Sequence, residues 1–439
     1  MGFMIHINSM RTGTITNSKC QRRVGTVADL LVECLEKEGV RFVFGVPGEE
    51  TDALLSALAE SSITFVPCRH EQGSALIADV WGRLTGEAGV CLSTQGPEAI
   101  NQLTVVADAN LDKAPLVAIT AQGGLDRLHH ESHRRLDIVR MFEPVTKWNS
   151  AIYSAEMVPE VVRKAFKISE MEKPGSTHIE LAQDVAGQLV SDRWKPMEPR
   201  PIPQPKADAS AIETVLALLQ DSRRPLVIAG NGAIRLRASR QLQRLAETQD
   251  IPVAATFMGK GAVSDRIDQS LLCIGTGFKD FVRTAVDAAD LIITIGYDIA
   301  EYAPDRWNPD GNKQIVHIDS GPAEVCTHYD PVAEVVGDIA TTLRVLNYRL
   351  MSNRLRLDRS WYQGVRQRIL DDIAGYELSG PKDSTALTVP GCLHLLRQIL
   401  PDDGLLISDV GSHQIWTARN SPRKLKEMTY DSLSPDQFL

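Results

Sequence analysis

Residues 41–72, RFVFGVPGEETDALLSALAESSITFVPCRHEQ, contain two short apolar runs separated by a helical period. The runs, Arg41 to Gly45 and Ile63 to Pro67, lack the polar alternation of a half-exposed strand, so each predicts a strand covered on both faces. Glu49 to Glu60 spaces its apolar residues as a helix does. A strand, helix and strand of this kind close as a right-handed parallel βαβ unit, which implies an open α/β sheet.

The same alternation continues outward. Gly89 to Ser93, Leu116 to Thr120 and Ser176 to Leu181 predict further strands, with helices at Glu71 to Leu84 and Glu98 to Leu111, closing a first domain over 24–190. Pro196 to Lys206 contains five prolines, which forbid a regular element, so 191–208 reads as a linker. A second series fills 209–350, with strands at Leu226 to Ala229, Val253 to Thr256, Leu291 to Ile295 and Ile315 to Ile318, and helices near Ser239 to Glu247, Phe281 to Ala289 and Ile339 to Leu350. The basic stretch Asn353 to Arg368 predicts a solvated helical connector within 351–385. A third series opens over 386–419, with a helix near Leu393 to Leu400 and a strand at Gly404 to Ser408, and then stops, because 420–439 carries neither period. The expected fold class is therefore α/β: two doubly wound parallel-sheet domains plus an incomplete third. A lone βα fragment makes no sheet, so Leu405, Leu406 and Ile407 are expected to stand partly unpaired.

Length and charge narrow the function. At about 150 residues per domain, 439 residues suit three domains. Forty-seven Lys and Arg against 56 Asp and Glu give a net charge of −9, the wrong sign for nucleic acid. No apolar run reaches the roughly 18 residues of a membrane span, so no membrane partner is expected. Seven scattered cysteines form no CxxC pair, which excludes a disulfide framework and a zinc ribbon and suits a reducing cytoplasm. Residues 1–23 hold Arg11, Lys19, Arg22 and Arg23 without an acid, yet no sustained apolar region, and read as a frayed, untargeted lead.

Three loops at predicted strand ends could carry chemistry. Gly45, Pro47 and Gly48 follow the first strand, where an open α/β sheet lets its backbone approach a ligand. Glu71, in RHEQ, is either a helix-start carboxylate favoured by the macrodipole or a desolvated carboxylate able to hold and pass a proton. Thr94 to Asn101, with Gly96, Pro97 and Asn101, follows the third strand. Other patterns fail. His130, Glu131 and His133 form HExH, one residue short of a zinc-binding helix face, so no metal ligand is assigned. Ala229-Gly230-Asn231-Gly232-Ala233 lacks the third glycine of a dinucleotide fingerprint. No GxSxG elbow occurs.

In this order and spacing, FGVPG (Phe44 to Gly48), RHEQ (Arg69 to Gln72), GRLTG (Gly82 to Gly86) and the Gly96, Pro97 and Asn101 loop resemble the thiamine-diphosphate-dependent acetolactate synthase family. PVTKW (Pro144 to Trp148) and Gln183-Asp184-Val185 extend the resemblance, and DVGSHQIWTAR (Asp409 to Arg419) is similar to the opening of the family's diphosphate-binding domain. GYDIAEYAPDRWN (Gly296 to Asn308) is closer to the flavin-free catabolic members, which counts against FAD. The resemblance implies a pyrimidine-binding domain at 24–190, a Rossmann-like middle domain at 209–350, and thiamine diphosphate with Mg2+ as cofactors. Glu71 would bond the aminopyrimidine ring and drive proton removal from the cofactor. Gly45, Pro47, Gly48, Gly96, Pro97 and Asn101 would line the pyrimidine, and Gly411, Ser412 and His413 would face the diphosphate. Small 2-oxo acids would be the substrates: pyruvate is decarboxylated and joined to a second one. Active sites between two chains would make a homodimer or tetramer.

Three departures qualify this pattern. Glu98 stands where the family usually has the second glycine of GPG, and Arg134 where related enzymes carry a substrate-side glutamine. The Gly-Asp-Gly and downstream Asn that hold magnesium do not occur; Gly337-Asp338 is followed by Ile339. The chain is accordingly expected to be truncated in its diphosphate-binding domain and inactive by itself. The alternatives are a non-catalytic subunit in a hetero-oligomer with a full-length homologue, or a thiamine-dependent 2-oxo acid decarboxylase or lyase.

Overall fold

The structure, a computed structural model, describes residues 25–127, 136–191, 193–277, 280–352, 354–355, 357–378, 388–401, 406–408 and 411–420. The lead, the His129 to His133 run, Arg134, Leu405, Asp409 and the stretch after 420 lie outside the described residues. Two compact units emerge, one of described residues up to Glu170 with Pro174–Arg200, the other of Met171–Lys173 with those from Pro201.

The first unit holds six strands: β1 Phe42–Gly45, β2 Thr64–Pro67, β3 Gly89–Ser93, β4 Leu116–Gln122, β5 Trp148–Ile152 and β6 Ser176–Ala182. They form one parallel sheet in the order β2-β1-β3-β4-β6-β5. Strands β3, β4 and β6 are buried at every position and β1 at all but its first, as their runs predict, but β2 is not covered on both faces: it lies at the sheet edge, with Thr64 and Pro67 exposed and Phe65 and Val66 half-buried. Edge strand β5 escapes that reading because its first three residues are only half covered.

Four helices of this unit matter for the site: α1 Val27–Lys37, α2 Asp52–Ala59, α3 Glu71–Thr85 and α4 Pro97–Leu111. Thr26 and Asp29 form a reciprocal capping box that starts α1. On the opposite face of the sheet, α3 and α4 bury Ala75, Ala78, Ala99, Val105 and Val106 against Cys91, Leu116 and Ala118. Small residues along α3 let it lie close to the strands. Arg83 then ties the two helices together, reaching Asp79 on α3 at 2.8 Å, Asp108 on α4 at 3.2 Å and Asp112 just beyond α4 at 2.8 Å.

The second unit holds β7 Pro225–Ala229, β8 Val253–Ala255, β9 Ser270–Cys273, β10 Leu291–Ile295, β11 Gln314–Asp319 and β12 Ala333–Val336. Their order, β12-β11-β10-β7-β8-β9, is that of doubly wound dinucleotide-binding sheets. The outer strands β9 and β12 have no counterpart in the sequence reading. The basic connector also differs from expectation: it becomes the helix Ser360–Leu378, whose Tyr362, Val365, Ile369 and Ile373 are buried beside Leu226, Leu271 and Ile292. An apolar stripe at helical spacing, masked by interleaved arginines, outweighs the charge run.

Beyond it lie the helices Val389–Ile399 and Ser412–Asn420, the latter held by an Arg419–Asp372 ion pair at 2.6 Å. Leu406–Ser408, expected in a strand, form none. Leu406 is 40% and Ile407 93% exposed.

Candidate active site

In the first sheet the chain steps from β1 outward to β2 and then back to β3 on the other side of β1. At such a reversal the loops diverge, and the crevice outside the carboxyl ends of the strands takes ligands. Gly45, Pro47 and Gly48 leave β1 at this point, and Gly96 and Pro97 leave β3. The two loops are in close contact: a Cβ at Gly48 would lie 2.2 Å from Cγ2 of Thr94. Gly96 has φ +69° and ψ −129°, a region open in practice to glycine alone, and it turns the chain into α4 with Pro97 at the first helical position.

Glu71 occupies the first turn of α3. His70 supplies the cap, its Nδ1 accepting from the Gln72 amide at 3.1 Å. Only 7% of Glu71 is exposed, and burial of a helix-start acid goes beyond what the macrodipole asks for. Nδ2 of Asn101, on α4, donates to its Oε2 at 2.9 Å. The fold therefore brings together two predicted residues thirty positions apart. A buried carboxylate steadied by an amide donor can hold a proton at a ligand nitrogen and return it.

A neighbouring polar chain had no place among the predicted residues. Gln95 donates to Oε1 of Glu50 at 2.8 Å and accepts from the Gly123 amide at 2.8 Å. Gln122 shares that amide at 3.1 Å and donates to Oε2 of Glu180 at 3.2 Å. Burial pushes the Glu180 carboxyl up to about 7, against the opposing pull of the Gln122 bond. The signal was present as Gln122 and Glu180, polar side chains inside strands that otherwise read as apolar.

Gly411, Ser412 and His413 belong to the second unit, exposed at the start of the helix Ser412–Asn420. Glu98 sits half-buried on the first turn of α4. Among the described residues no group of three or more His, Cys, Asp or Glu could hold a metal ion. The buried Glu71–Asn101 pair fits an aminopyrimidine, its carboxylate offering the acceptor such a ring requires.

A doubly wound sheet with this crevice defines a cofactor-binding α/β protein, and comparison with known families makes the class specific. Residues 25–141 match the thiamine pyrophosphate enzyme N-terminal TPP binding domain, and residues 212–346 match the thiamine pyrophosphate enzyme central domain. Among curated proteins the chain is similar to the acetolactate synthase of Bacillus subtilis, with 32% identity over 89% of this chain and 68% of the relative. It is 35% identical to the catabolic acetolactate synthase of Raoultella terrigena, over 89% of this chain and 70% of the relative. A probable acetolactate synthase large subunit of Methanocaldococcus jannaschii shares 32% identity, over 89% and 68%. The chain belongs to the acetolactate synthase family of thiamine pyrophosphate enzymes.

Proposed function

We propose that this chain is an acetolactate-synthase-type carboligase, in which Glu71 holds the aminopyrimidine of thiamine diphosphate and pyruvate is joined to a second 2-oxo acid. The observation that carries this reading is the buried Glu71 carboxylate, bonded by Asn101 beside the crevice between β1 and β3. When bound, the cofactor supplies a nucleophilic carbon and an electron sink for decarboxylation. Glu71 keeps a proton at the ring nitrogen, and Asn101 fixes which carboxylate oxygen meets it. The loops of Gly45 to Gly48 and Gly96 to Pro97 bring backbone to the ring.

Because the family's Gly-Asp-Gly and downstream Asn do not occur in the sequence, thiamine diphosphate is expected to bind weakly and with little dependence on magnesium. The similarity of Gly296 to Asn308 to the flavin-free members counts against FAD. The working form is a homodimer or tetramer, or a hetero-oligomer with a full-length homologue, in the cytoplasm. Leu76, Ile77 and Val80 support subunit pairing, being an exposed apolar stripe on the helix that Glu71 begins. Among the described residues no helix is long and apolar enough to cross a membrane.

The test is pyruvate turnover with saturating thiamine diphosphate, acetolactate being detected by mass spectrometry. Little or no turnover is expected of the chain by itself; where turnover is measurable, alone or with a full-length homologue, Glu71→Gln should lower it by about 10²–10⁴-fold, and a loss of no more than a few-fold would remove Glu71 from the mechanism. Calorimetric titration with and without magnesium checks the second statement, which tight metal-dependent binding would overturn.

A further inference from the structure

The turn Ala229-Gly230-Asn231-Gly232-Ala233, which fails as a dinucleotide fingerprint, lies at the most informative place in the second unit. The chain leaves β7 towards β8 on one side and returns through β10 on the other, so the crevice at the carboxyl ends of β7 and β10 is the position where this sheet order binds nucleotides. In this protein the crevice is filled from within. The Gly232 amide donates to the Gly296 carbonyl at 2.8 Å, and a Cβ at Gly230 would lie 2.4 Å from that same oxygen. The loop after β10 then carries Glu301 back over the turn. Its Oε1 and Oε2 accept from the Asn231 amide at 3.0 and 3.1 Å, and Oε2 also accepts from the Thr256 hydroxyl at the end of β8.

We infer that Glu301 is the resident anion of this crevice, its carboxylate taking the Asn231 and Thr256 donors that a nucleotide phosphate would otherwise meet, so that the second unit accepts neither ADP nor an adenine dinucleotide. A carboxylate and a phosphate ask for the same donors, and a covalently attached one is present at an effective concentration no free ligand matches. Burial pushes the Glu301 carboxyl up to about 7, opposed by the Thr256 and Asn231 bonds. Those bonds favour the ionised carboxylate against the desolvation that opposes it. The inference concerns the second unit alone and does not depend on the proposed carboligase activity.

The full chain and its Glu301→Ala variant are compared by thermal unfolding and calorimetry, with ADP and inorganic phosphate as probes and chloride at equal ionic strength as control. The wild type is expected to bind neither probe at millimolar concentration. The variant should melt lower and be restabilised saturably by phosphate, with apparent binding at least ~10-fold tighter than in the wild type. Wild-type binding of ADP, or a variant whose phosphate response equals that of the wild type, overturns the inference. Should the alanine variant not fold, Glu301→Gln, which keeps the volume and removes the charge, is judged by the same phosphate response.

Discussion

Gly96 shows how one residue sets the site. Its backbone, at φ +69° and ψ −129°, is what lets the chain leave β3 and enter α4 with Asn101 one turn further on, in reach of Glu71. Alanine there must bear a strained backbone, so Gly96→Ala is expected to lower stability by about 1–3 kcal/mol, read from urea unfolding. Asn101→Ala leaves the fold intact but frees the Glu71 carboxylate. Turnover of pyruvate should then fall ~10-fold or more, since a hydrogen bond to a charged group is worth about 1.5–3 kcal/mol; unchanged turnover would make Asn101 a packing residue. Glycine, proline and a buried acid at strand ends were legible in the sequence, because turn chemistry is local. The resemblance put Glu71 and Asn101 at one ring, but neither the bond between them nor that of the Glu301 carboxylate to the Asn231 amide was legible. Seventy residues separate that pair, and no local pattern ties the loop after β10 to the turn after β7.

Among elements, α3 and α4 carry the site and depend on one side chain. Arg83 faces three aspartates, and Asp79 is the buried one, its carboxyl raised by desolvation and lowered in part by Arg83. Removing the guanidinium leaves that anion without its main counter-charge. Arg83 is itself about a third exposed, so solvent screens part of the effect. We expect Arg83→Met to cost about 1–3 kcal/mol in chemical unfolding and Arg83→Lys less, since lysine keeps the charge but not the fork. A null effect for Arg83→Met would place the α3–α4 contact wholly in its apolar packing. Central strands such as β3, β7 and β10 were readable because burial on both faces leaves mainly apolar residues. Edge strands β5, β9 and β12 were not, since WNSAI, SLLC and AEVV are too short or too mixed for a period to show.

Across the whole molecule, pH acts through groups buried in both units. Glu180 and Glu301 have carboxyls raised from 4.5 to about 7, each chiefly by burial. His178, fully buried beside Thr120, has its imidazole lowered from 6.5 to about 3 by burial alone. The signs oppose one another. A raised carboxyl means the folded chain binds more protons than the unfolded one between pH 4.5 and 7, so stability is lost as pH rises through that window. The lowered imidazole does the reverse between pH 3 and 6.5, where the unfolded chain takes up the proton. Two carboxyls against one imidazole leave these groups with a net loss of stability from about pH 4.5 to 7 and no further change above it. Glu180→Gln keeps an acceptor for Gln122 and removes one of the two carboxyls. Its stability relative to the wild type should therefore grow as pH rises from 5 to 7 and then hold constant, as followed by calorimetric melting at several pH values. A difference that does not vary with pH would show that Glu180 is ionised in the folded chain as readily as in the unfolded one, and that solvent reaches the polar chain linking it to Gln122, Gly123 and Gln95.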